Sequence, residues 1–275
     1  MGHLFRKYTT LICCILLSNL NSFAGGEYRY VGTRSIAPGL GGVSTITPYA
    51  PSSNQAAMGF AEHSSISLYY AHTGLTEGVN SFMAMAQFKM KKGGSIGFSG
   101  AYFGYSLFSD RKIGIAYGLQ LADFVSIGAQ IDLLNNHIAG YSSNSAVTFE
   151  IGTLFKIGDH IQLGAHVYNP PRVKYGKDTD ERVPTVFRLG VTYTKYDKIW
   201  ITGEVEQDLD LNLAFRTGID YKINEYFFIR AGVLTYPLSG TLGVGIPYKS
   251  LRFELSGSYQ KINGVAPHLG ISYVF

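Results

Sequence analysis

Apolar and polar residues alternate one by one along most of the chain. Between residues 125 and 133, for example, Val125, Ile127 and Ala129 are separated by Ser126 and Gly128. A period of two residues predicts a β-strand with one apolar and one polar face. About fourteen such segments follow one another without an amphipathic helix, which argues against a βαβ enzyme fold. They span approximately residues 64–75, 79–90, 93–105, 112–122, 124–134, 145–157, 160–169, 185–195, 198–207, 212–223, 226–236, 240–248, 250–261 and 266–275.

The length of these segments and of their connections favours a barrel in a membrane. Roughly 9–11 residues suffice for a tilted strand to cross a bilayer. Connections from even to odd segments are tight, and those from odd to even segments are longer, up to 170–184. Short periplasmic turns, longer outer loops and an even strand number are typical of bacterial outer-membrane barrels. The alternative is a soluble lipocalin-like barrel or a β-sandwich, which would cover its outside with Lys and Glu.

The first residues have the features of a secretory signal peptide. Arg6 and Lys7 precede the short apolar run 11–17, and Ser22-Phe23-Ala24 has the small-x-small form of a cleavage site. Both cysteines of the chain, at positions 13 and 14, lie in this segment. We therefore expect no disulfide and no thiol chemistry in the mature protein. The predicted division is a signal peptide at 1–24, a hatch at 25–63 and an all-β transmembrane antiparallel barrel at 64–275.

Composition agrees with an apolar exterior. Charged residues make up 15% of the chain and aromatic residues 14%, with 20 Tyr, 17 Phe and 33 Gly. The net charge of +4 is too small to indicate nucleic-acid binding. No nucleotide fingerprint, metal-ligand spacing or nucleophile–base arrangement is recognisable, so we predict neither catalysis nor a cofactor or metal.

The polar face of the strands carries ionisable residues, which we expect to point into the lumen because a charge facing lipid costs roughly 2–4 kcal/mol. His166 falls on the same face. Two interpretations remain open: a salt-bridge network that fills the lumen, or a permeation path with fixed charges. The predicted lumen charges are Asp132, Glu150, Arg188, Glu204, Glu206, Arg216, Asp220, Arg230, Arg252 and Glu254.

The segment 25–63 does not alternate and is rich in Gly and Pro. It could be a periplasmic linker or a plug inside the barrel. Because no partner domain exists for a linker to reach, we favour the plug.

This segment resembles the start of mature FadL-like outer-membrane barrels, closest to the PorV/PorQ branch. The similarity lies in residues 32–43 and 52–58, with Gln55 where the family has a Pro. The resemblance implies fourteen strands and an N-terminal hatch in the lumen, in agreement with the periodicity. The matching hatch residues are Arg34, Gly39, Gly41, Gly42 and Asn54.

The resemblance implies two different functions. FadL-type members carry hydrophobic compounds inward through a side opening at a kinked third strand. PorV-type members are accessory barrels of type IX secretion. Here the third segment contains Gly97, Gly100 and Gly104, which mark either a kink or space for the plug.

The outer loops decide our first choice between these functions. FadL-type ligand grooves use long apolar loops, whereas the longest loop here, 170–184, is polar. We therefore predict a docking barrel linked to protein secretion, with hydrophobic-compound uptake as the alternative. The expected partners are secretion-system proteins or, in the alternative, a hydrophobic small molecule. The candidate contact residues of the loop are Arg172, Lys174, Tyr175, Lys177 and Arg182.

The last residues resemble the C-terminal signal by which the barrel assembly machinery recognises its clients. Tyr273 and the terminal Phe275 lie on the apolar face of the last segment. This signal and the apolar wall predict a location in the outer membrane of a Gram-negative bacterium, with outer-membrane lipid as the surroundings.

Overall fold

Fourteen antiparallel strands form one closed barrel in the computed structural model. The structure describes residues 42–72, 78–91, 93–176, 182–261 and 263–275. Each strand pairs with its neighbours in sequence, and β1 pairs with β14 to close the wall. The strands are β1 (Ser65–His72), β2 (Asn80–Lys89), β3 (Ser95–Tyr105), β4 (Phe108–Ala122), β5 (Val125–Ile138), β6 (Ser142–Ile157), β7 (Ile161–Tyr168), β8 (Val186–Lys195), β9 (Ile199–Asp208), β10 (Ala214–Asn224), β11 (Phe227–Thr235), β12 (Leu238–Tyr248), β13 (Leu251–Gln260) and β14 (Gly264–Val274).

The prediction of an all-β, fourteen-stranded barrel is confirmed. The largest differences are in β4 and β5, which extend four residues further than the alternation indicates. Polar residues interrupt the apolar pattern there, at Asp110 on β4 and at Asn135 and Asn136 on β5. The ladder between β4 and β5 nevertheless continues to the pair Phe108–Ile138.

The two faces of the wall differ in chemistry as the alternation predicts. Apolar side chains cover the outside, and Ile113, Ile131 and Leu189 each expose more than 60% of their surface. Polar and small side chains point inward. A contiguous apolar exterior is the expected surface of a barrel that lipid surrounds.

The two ends of the barrel are also different. The connection from β7 to β8 spans 169–185 and defines what we call the long-loop end. At the opposite end, the turn end, β8 and β9 are joined by Tyr196–Lys198 and β12 and β13 by two residues. Tyr196, Tyr226 and Tyr248 lie exposed at the turn end, as in the aromatic girdles of membrane barrels.

Candidate functional site

Residues 42–61 lie inside the barrel, and we call them the hatch. They contain a short helix, Ala50–Ser53, followed by a 3-10 helix, Gln55–Phe60. Asn54 separates the two, and its side-chain Oδ1 accepts a hydrogen bond of 3.1 Å from the backbone N–H of Ala56. Such a cap satisfies a donor that would otherwise be unpaired at the start of the helix. Most hatch side chains are fully buried, so the hatch is packed against the wall.

Where the hatch contacts the wall, a row of inward glycines lies on the inner face, and we call this row the glycine track. It takes one inward glycine from each of six consecutive strands, β3 to β8. Gly128 pairs directly with Gly118 on one side and Gly152 on the other, and Gly164 pairs with Gly190. The members are Gly97, Gly118, Gly128, Gly152, Gly164 and Gly190.

The glycine track allows the hatch backbone to reach the wall. A Cβ atom at Gly97 would lie 2.7 Å from Met58 Cε, and one at Gly190 would lie 2.6 Å from Val43 Cγ1. Added Cβ atoms at Gly128 and Gly152 would overlap atoms of Ala56 and Asn54. Such approaches are closer than carbon atoms tolerate, so any larger residue in the track would displace the hatch.

Hydrogen bonds fix the hatch in this position. The Nδ2 of Asn54 donates to the carbonyl of Val43 at 2.6 Å and to that of Thr153 on β6 at 3.1 Å. The hydroxyl of Ser126 on β5 donates to the carbonyl of Ala56 at 2.6 Å. These bonds satisfy buried backbone carbonyls that cannot reach water.

A cluster of five ionisable side chains lies buried beside the hatch, on β4 to β8. We call Lys112, Asp132, Glu150, His166 and Arg188 the buried charge cluster. Each of them is at most 2% exposed. The Nζ of Lys112 lies 2.6 Å from Glu150 Oε1 and 3.8 Å from Asp132 Oδ1. With His166 neutral, two cations face two carboxylates, so the burial of these charges is compensated.

Two members of this cluster bind the hatch directly. Glu150 Oε2 accepts hydrogen bonds from the Nε2 of Gln55 at 2.8 Å and from His166 Nε2 at 2.9 Å. The guanidinium of Arg188 donates to His166 Nδ1 at 3.0 Å and to the carbonyl of Ser53. Because arginine can only donate, His166 accepts at Nδ1 and carries its proton on Nε2. The buried charge cluster therefore links five strands, β4 to β8, to the hatch.

Further charges lie on the inner face of β9 to β13. Arg216 lies 3.7 Å from both Glu204 and Glu206, and Glu204 accepts a hydrogen bond of 2.7 Å from the backbone N–H of Val43. Arg230 lies 3.1 Å from Asp220 and 2.9 Å from Glu254. Each of these two arginines therefore lies between two carboxylates.

Tyr49 connects the hatch to this second group of charges. Its hydroxyl donates to Glu254 Oε2 at 2.6 Å. Burial and the nearby carboxylate of Glu254 raise the pKa of the Tyr49 phenol above its ordinary value of about 10. Tyr49 is therefore protonated and can act as the donor at all physiological pH values.

The structure places all ten predicted lumen charges on the inner face. Arg188 contacts His166 and the carbonyl of Ser53 in the hatch. Lys112 and Tyr49 were missed. The sequence predicts a strand that begins at residue 112, but β4 begins at Phe108, so Lys112 lies well inside the wall. Because its neighbour Ile113 is apolar and faces outward, the alternation would have placed Lys112 on the inner face.

Some predicted residues lie outside the described ranges. These are the signal peptide 1–24 and, in the hatch, Arg34, Gly39 and Gly41. Gly42 and Asn54 are described: a Cβ at Gly42 would lie 3.1 Å from Glu204 Oε2, and Asn54 forms the bonds above.

The third strand continues through its glycines. β3 pairs with β2 and β4 without a register shift from Ser95 to Gly104. The kink that we considered at Gly97, Gly100 and Gly104 is therefore not present in the ladder. Gly97 instead makes space for Met58 of the hatch, and Gly104, with a φ of 146°, lies at the entry to the β3–β4 hairpin.

The connection between β7 and β8 folds into the mouth of the barrel. Tyr175 and Val183 are 8% and 2% exposed and pack with Leu134 and Tyr168. Tyr175 therefore corrects our expectation of an outer contact residue. Arg172, Lys174 and Arg182 are exposed as expected, and Lys177 lies outside the described residues.

Asn169 holds this connection in place. It adopts a left-handed conformation, with a φ of 52°, which Asn tolerates better than most residues. Its Nδ2 donates to the carbonyl of Val183 at 2.6 Å, and its Oδ1 accepts from Thr148 at 2.7 Å. This geometry, and not apolar periodicity, brings the loop inward.

One part of the described lumen is apolar. Tyr49 of the hatch packs there against inward side chains of β1, β2 and β3. We call this group the apolar patch. Its members are Tyr49, Tyr69, Ala71, Met83, Met85 and Ala101.

The C-terminal residues complete the turn end of the wall. Tyr273 and Phe275 stack with ring centroids 5.4 Å apart. The backbone of Phe275 exchanges hydrogen bonds of 2.9 and 3.0 Å with Ser64. Recognition of these residues by the assembly machinery remains a prediction.

Two features are absent from the described residues. No group of three His, Cys, Asp or Glu side chains there could hold a metal ion. No helix in the described part of the chain is long and apolar enough to span a membrane.

Comparisons with known proteins identify the fold. No protein-family model matches the chain, and no curated protein matches it. Solved structures do match. The toluene transporter TbuX of Ralstonia pickettii superposes with a TM-score of 0.69 at 12% identity, covering 90% of this chain and 98% of TbuX. The class that the fold defines is thus a closed β-barrel of the outer-membrane type.

Two more structures narrow the fold to the FadL type. The Pseudomonas putida toluene transporter TodX gives a TM-score of 0.60 at 13% identity, covering 85% of this chain and 95% of TodX. A FadL homologue of Pseudomonas aeruginosa gives 0.58 at 12% identity, with the same coverages. The chain therefore has the FadL-type barrel fold, and the PorV/PorQ branch has no support from these comparisons.

Proposed function

We propose that the protein is a channel of the bacterial outer membrane that admits small hydrophobic compounds, with the hatch as its gate. The observation that carries this proposal is the apolar patch on the inner face of β1 to β3. Two buried methionines and a tyrosine ring on the inner wall, with a second tyrosine ring on the hatch, are not expected in a water-filled pore. An apolar solute, in contrast, gains free energy on contact with them. The FadL-type fold and the apolar outer wall support the same function.

Uptake by intact cells tests the proposal, with the hatch locked by an engineered disulfide. Ser44 Oγ of the hatch and Thr192 Oγ1 of β8 are 2.7 Å apart, so Ser44→Cys with Thr192→Cys brings two sulfur atoms within bonding reach. Cys13 and Cys14, the only natural cysteines, fall in the predicted signal peptide. We expect expression to increase the uptake of radiolabelled toluene, oxidation of the double variant to block the increase, and reduction to restore it.

The two single-cysteine variants are the controls, because neither can close the disulfide. They should take up toluene at the wild-type rate with and without oxidant. Uptake no faster than in cells without the protein would contradict the channel. Uptake that is unchanged by the closed disulfide would contradict the hatch as its gate.

Docking of a secreted or accessory protein remains a second candidate. It is favoured by two short connections at the long-loop end, where two residues join β3 to β4 and two join β11 to β12. Isolation in mild detergent followed by mass spectrometry distinguishes the two candidates. A stoichiometric protein partner without bound apolar compounds would favour docking, and a bound apolar compound without a partner would favour the channel.

A further inference from the structure

A chain of three polar side chains borders the apolar patch. Ser258 Oγ lies 2.8 Å from His268 Nε2, and His268 Nδ1 lies 2.6 Å from the hydroxyl of Tyr69. The rings of Tyr69 and His268 stack with centroids 6.0 Å apart. The sequence gives no sign of this hydroxyl–imidazole chain, because its members come from β13, β14 and β1, which meet only when the barrel closes.

The hydroxyl–imidazole chain can be reached from the long-loop end. Ser258 and His268 are half-buried, whereas Tyr69 is 2% exposed. In the wall, Gly270 pairs with Glu254 and His268 pairs with Ser256. The chain therefore lies nearer the long-loop end than the contact between Tyr49 and Glu254. A solute that enters from this end meets Ser258 and His268 before it reaches Tyr49.

The chemistry of the chain suits a neutral hydroxyl group. Both nitrogens of His268 are already hydrogen-bonded, to Ser258 and to Tyr69, whereas a serine hydroxyl can donate one hydrogen bond and accept two. A bound hydroxyl can therefore join the chain at Ser258. Next to them, Met83 and Met85 and the ring of Tyr69 form a surface that suits an aromatic ring, since thioethers make favourable contacts with aromatic edges.

The same surroundings disfavour an anion. Glu254 lies on the same inner face of β13 as Ser258, and the cation bound to it, Arg230, also binds Asp220. A carboxylate bound beside Ser258 would add a third negative charge to this group, with Arg230 already shared by two carboxylates.

We propose that the apolar patch and the hydroxyl–imidazole chain form a binding site for neutral aromatic compounds with one hydroxyl group, such as phenols. This site rests on the proposed function, because it lies on the path of a solute through the lumen. Ser258, which His268 orients through their hydrogen bond, selects the hydroxyl, and the methionines and tyrosines hold the ring.

Three probes of matched size test the site: 4-ethylphenol, ethylbenzene and 4-ethylbenzoate. Their binding is measured by equilibrium dialysis with the purified full-length protein in detergent, and their uptake is measured in cells. We expect 4-ethylphenol to bind about five- to tenfold more tightly than ethylbenzene, as one extra hydrogen bond allows. We expect 4-ethylbenzoate to bind more weakly than either.

Ser258→Ala is the decisive variant, and Ser256→Ala is its matched control. Ser256 is the next inward residue on β13, and its hydroxyl has no hydrogen-bond partner in the structure. Ser258→Ala should reduce the preference for 4-ethylphenol over ethylbenzene to about twofold or less while ethylbenzene binding stays the same, because one hydrogen bond is lost. Ser256→Ala should keep the wild-type preference. Tyr69→Phe, which removes the other hydroxyl, should also reduce it.

The outcomes separate the site from the channel. Equal binding of 4-ethylphenol and ethylbenzene, or equal effects of the two serine variants, would overturn the site. Binding of 4-ethylbenzoate as tight as that of 4-ethylphenol would overturn it too. Uptake of all three probes without preference would keep the channel and reject the site. A Ser258-dependent preference in binding without any uptake would support the site and reject the channel.

Discussion

Glu150 is the residue on which the buried charge cluster depends. It accepts hydrogen bonds from Lys112, His166 and Gln55 and is itself fully buried. Removal of its charge leaves Lys112 with only Asp132, at 3.8 Å, as a counter-ion. A buried charge that loses its partner costs several kcal/mol, because neither water nor another group replaces the lost interaction.

We therefore predict that Glu150→Gln lowers the free energy of unfolding by about 3–5 kcal/mol. Urea titration of the protein in detergent, followed by the electrophoretic mobility shift of the folded barrel, measures this change. The control is Lys112→Met combined with Glu150→Gln, which removes both charges and should recover much of the loss. A loss of less than ~1 kcal/mol for the single variant, within the range of ordinary surface changes, would contradict the role of the pair.

At the scale of elements, the glycine track determines where the hatch lies. Six strands contribute one small residue each at the same level of the wall, so the backbone of the hatch can approach the backbone of the strands. The hatch is therefore held along β3 to β8. On the other side of the barrel, Val43 donates to Glu204 on β9, Tyr49 donates to Glu254 on β13, and the carbonyl of Pro48 accepts from Ser67 on β1.

We predict that Gly128→Leu displaces the hatch, while Gly257→Leu does not. A side chain at Gly128 would overlap Ala56, whereas the space around Gly257 is empty within 4 Å. The readout is maleimide labelling of Ser53→Cys, a position that is fully buried. Labelling should accelerate about tenfold or more with Gly128→Leu, since overpacking costs roughly 1–3 kcal/mol. Equal labelling rates in the two glycine variants would contradict the conclusion that the glycine track determines the position of the hatch.

The elements show what the sequence could and could not reveal. Period-two alternation placed Glu254 and Arg216 on the inner face correctly, because successive residues of a strand point to opposite faces and the apolar neighbours mark the outer face. The contact of Gly152 with Asn54 depends on two segments almost a hundred residues apart, and no local pattern encodes it. The burial of Tyr175 depends on the left-handed conformation of Asn169, which a polar loop composition does not indicate.

At the scale of the whole molecule, the outer wall requires an apolar solvent. Ile131 lies near the middle of β5 and exposes 66% of its surface, and Ile157 ends β6 at the turn end with 52% exposed. Similar exposure at different heights makes these two residues a matched pair. The cost of a charge should depend on its depth only if lipid surrounds the barrel.

We predict that Ile131→Arg reduces the stability of the folded barrel in bilayers by about 2–4 kcal/mol and Ile157→Arg by about 0–1 kcal/mol. Equilibrium unfolding from vesicles measures both. The same two variants in a soluble barrel would cost similar small amounts, since water solvates both positions. Equal effects of the two substitutions would therefore argue against a membrane location.

Closure through β1 and β14 also constrains the order of assembly. Ser65 pairs with Val274, about two hundred residues away, so the last ladder forms only after the whole chain has been made. Contacts between distant segments are slow to form because the intervening chain must first lose its entropy. The hatch precedes every strand in the sequence yet lies within all of them. The hatch is therefore synthesised before the strands that enclose it, and β1 and β14 can close the wall with the hatch already between them.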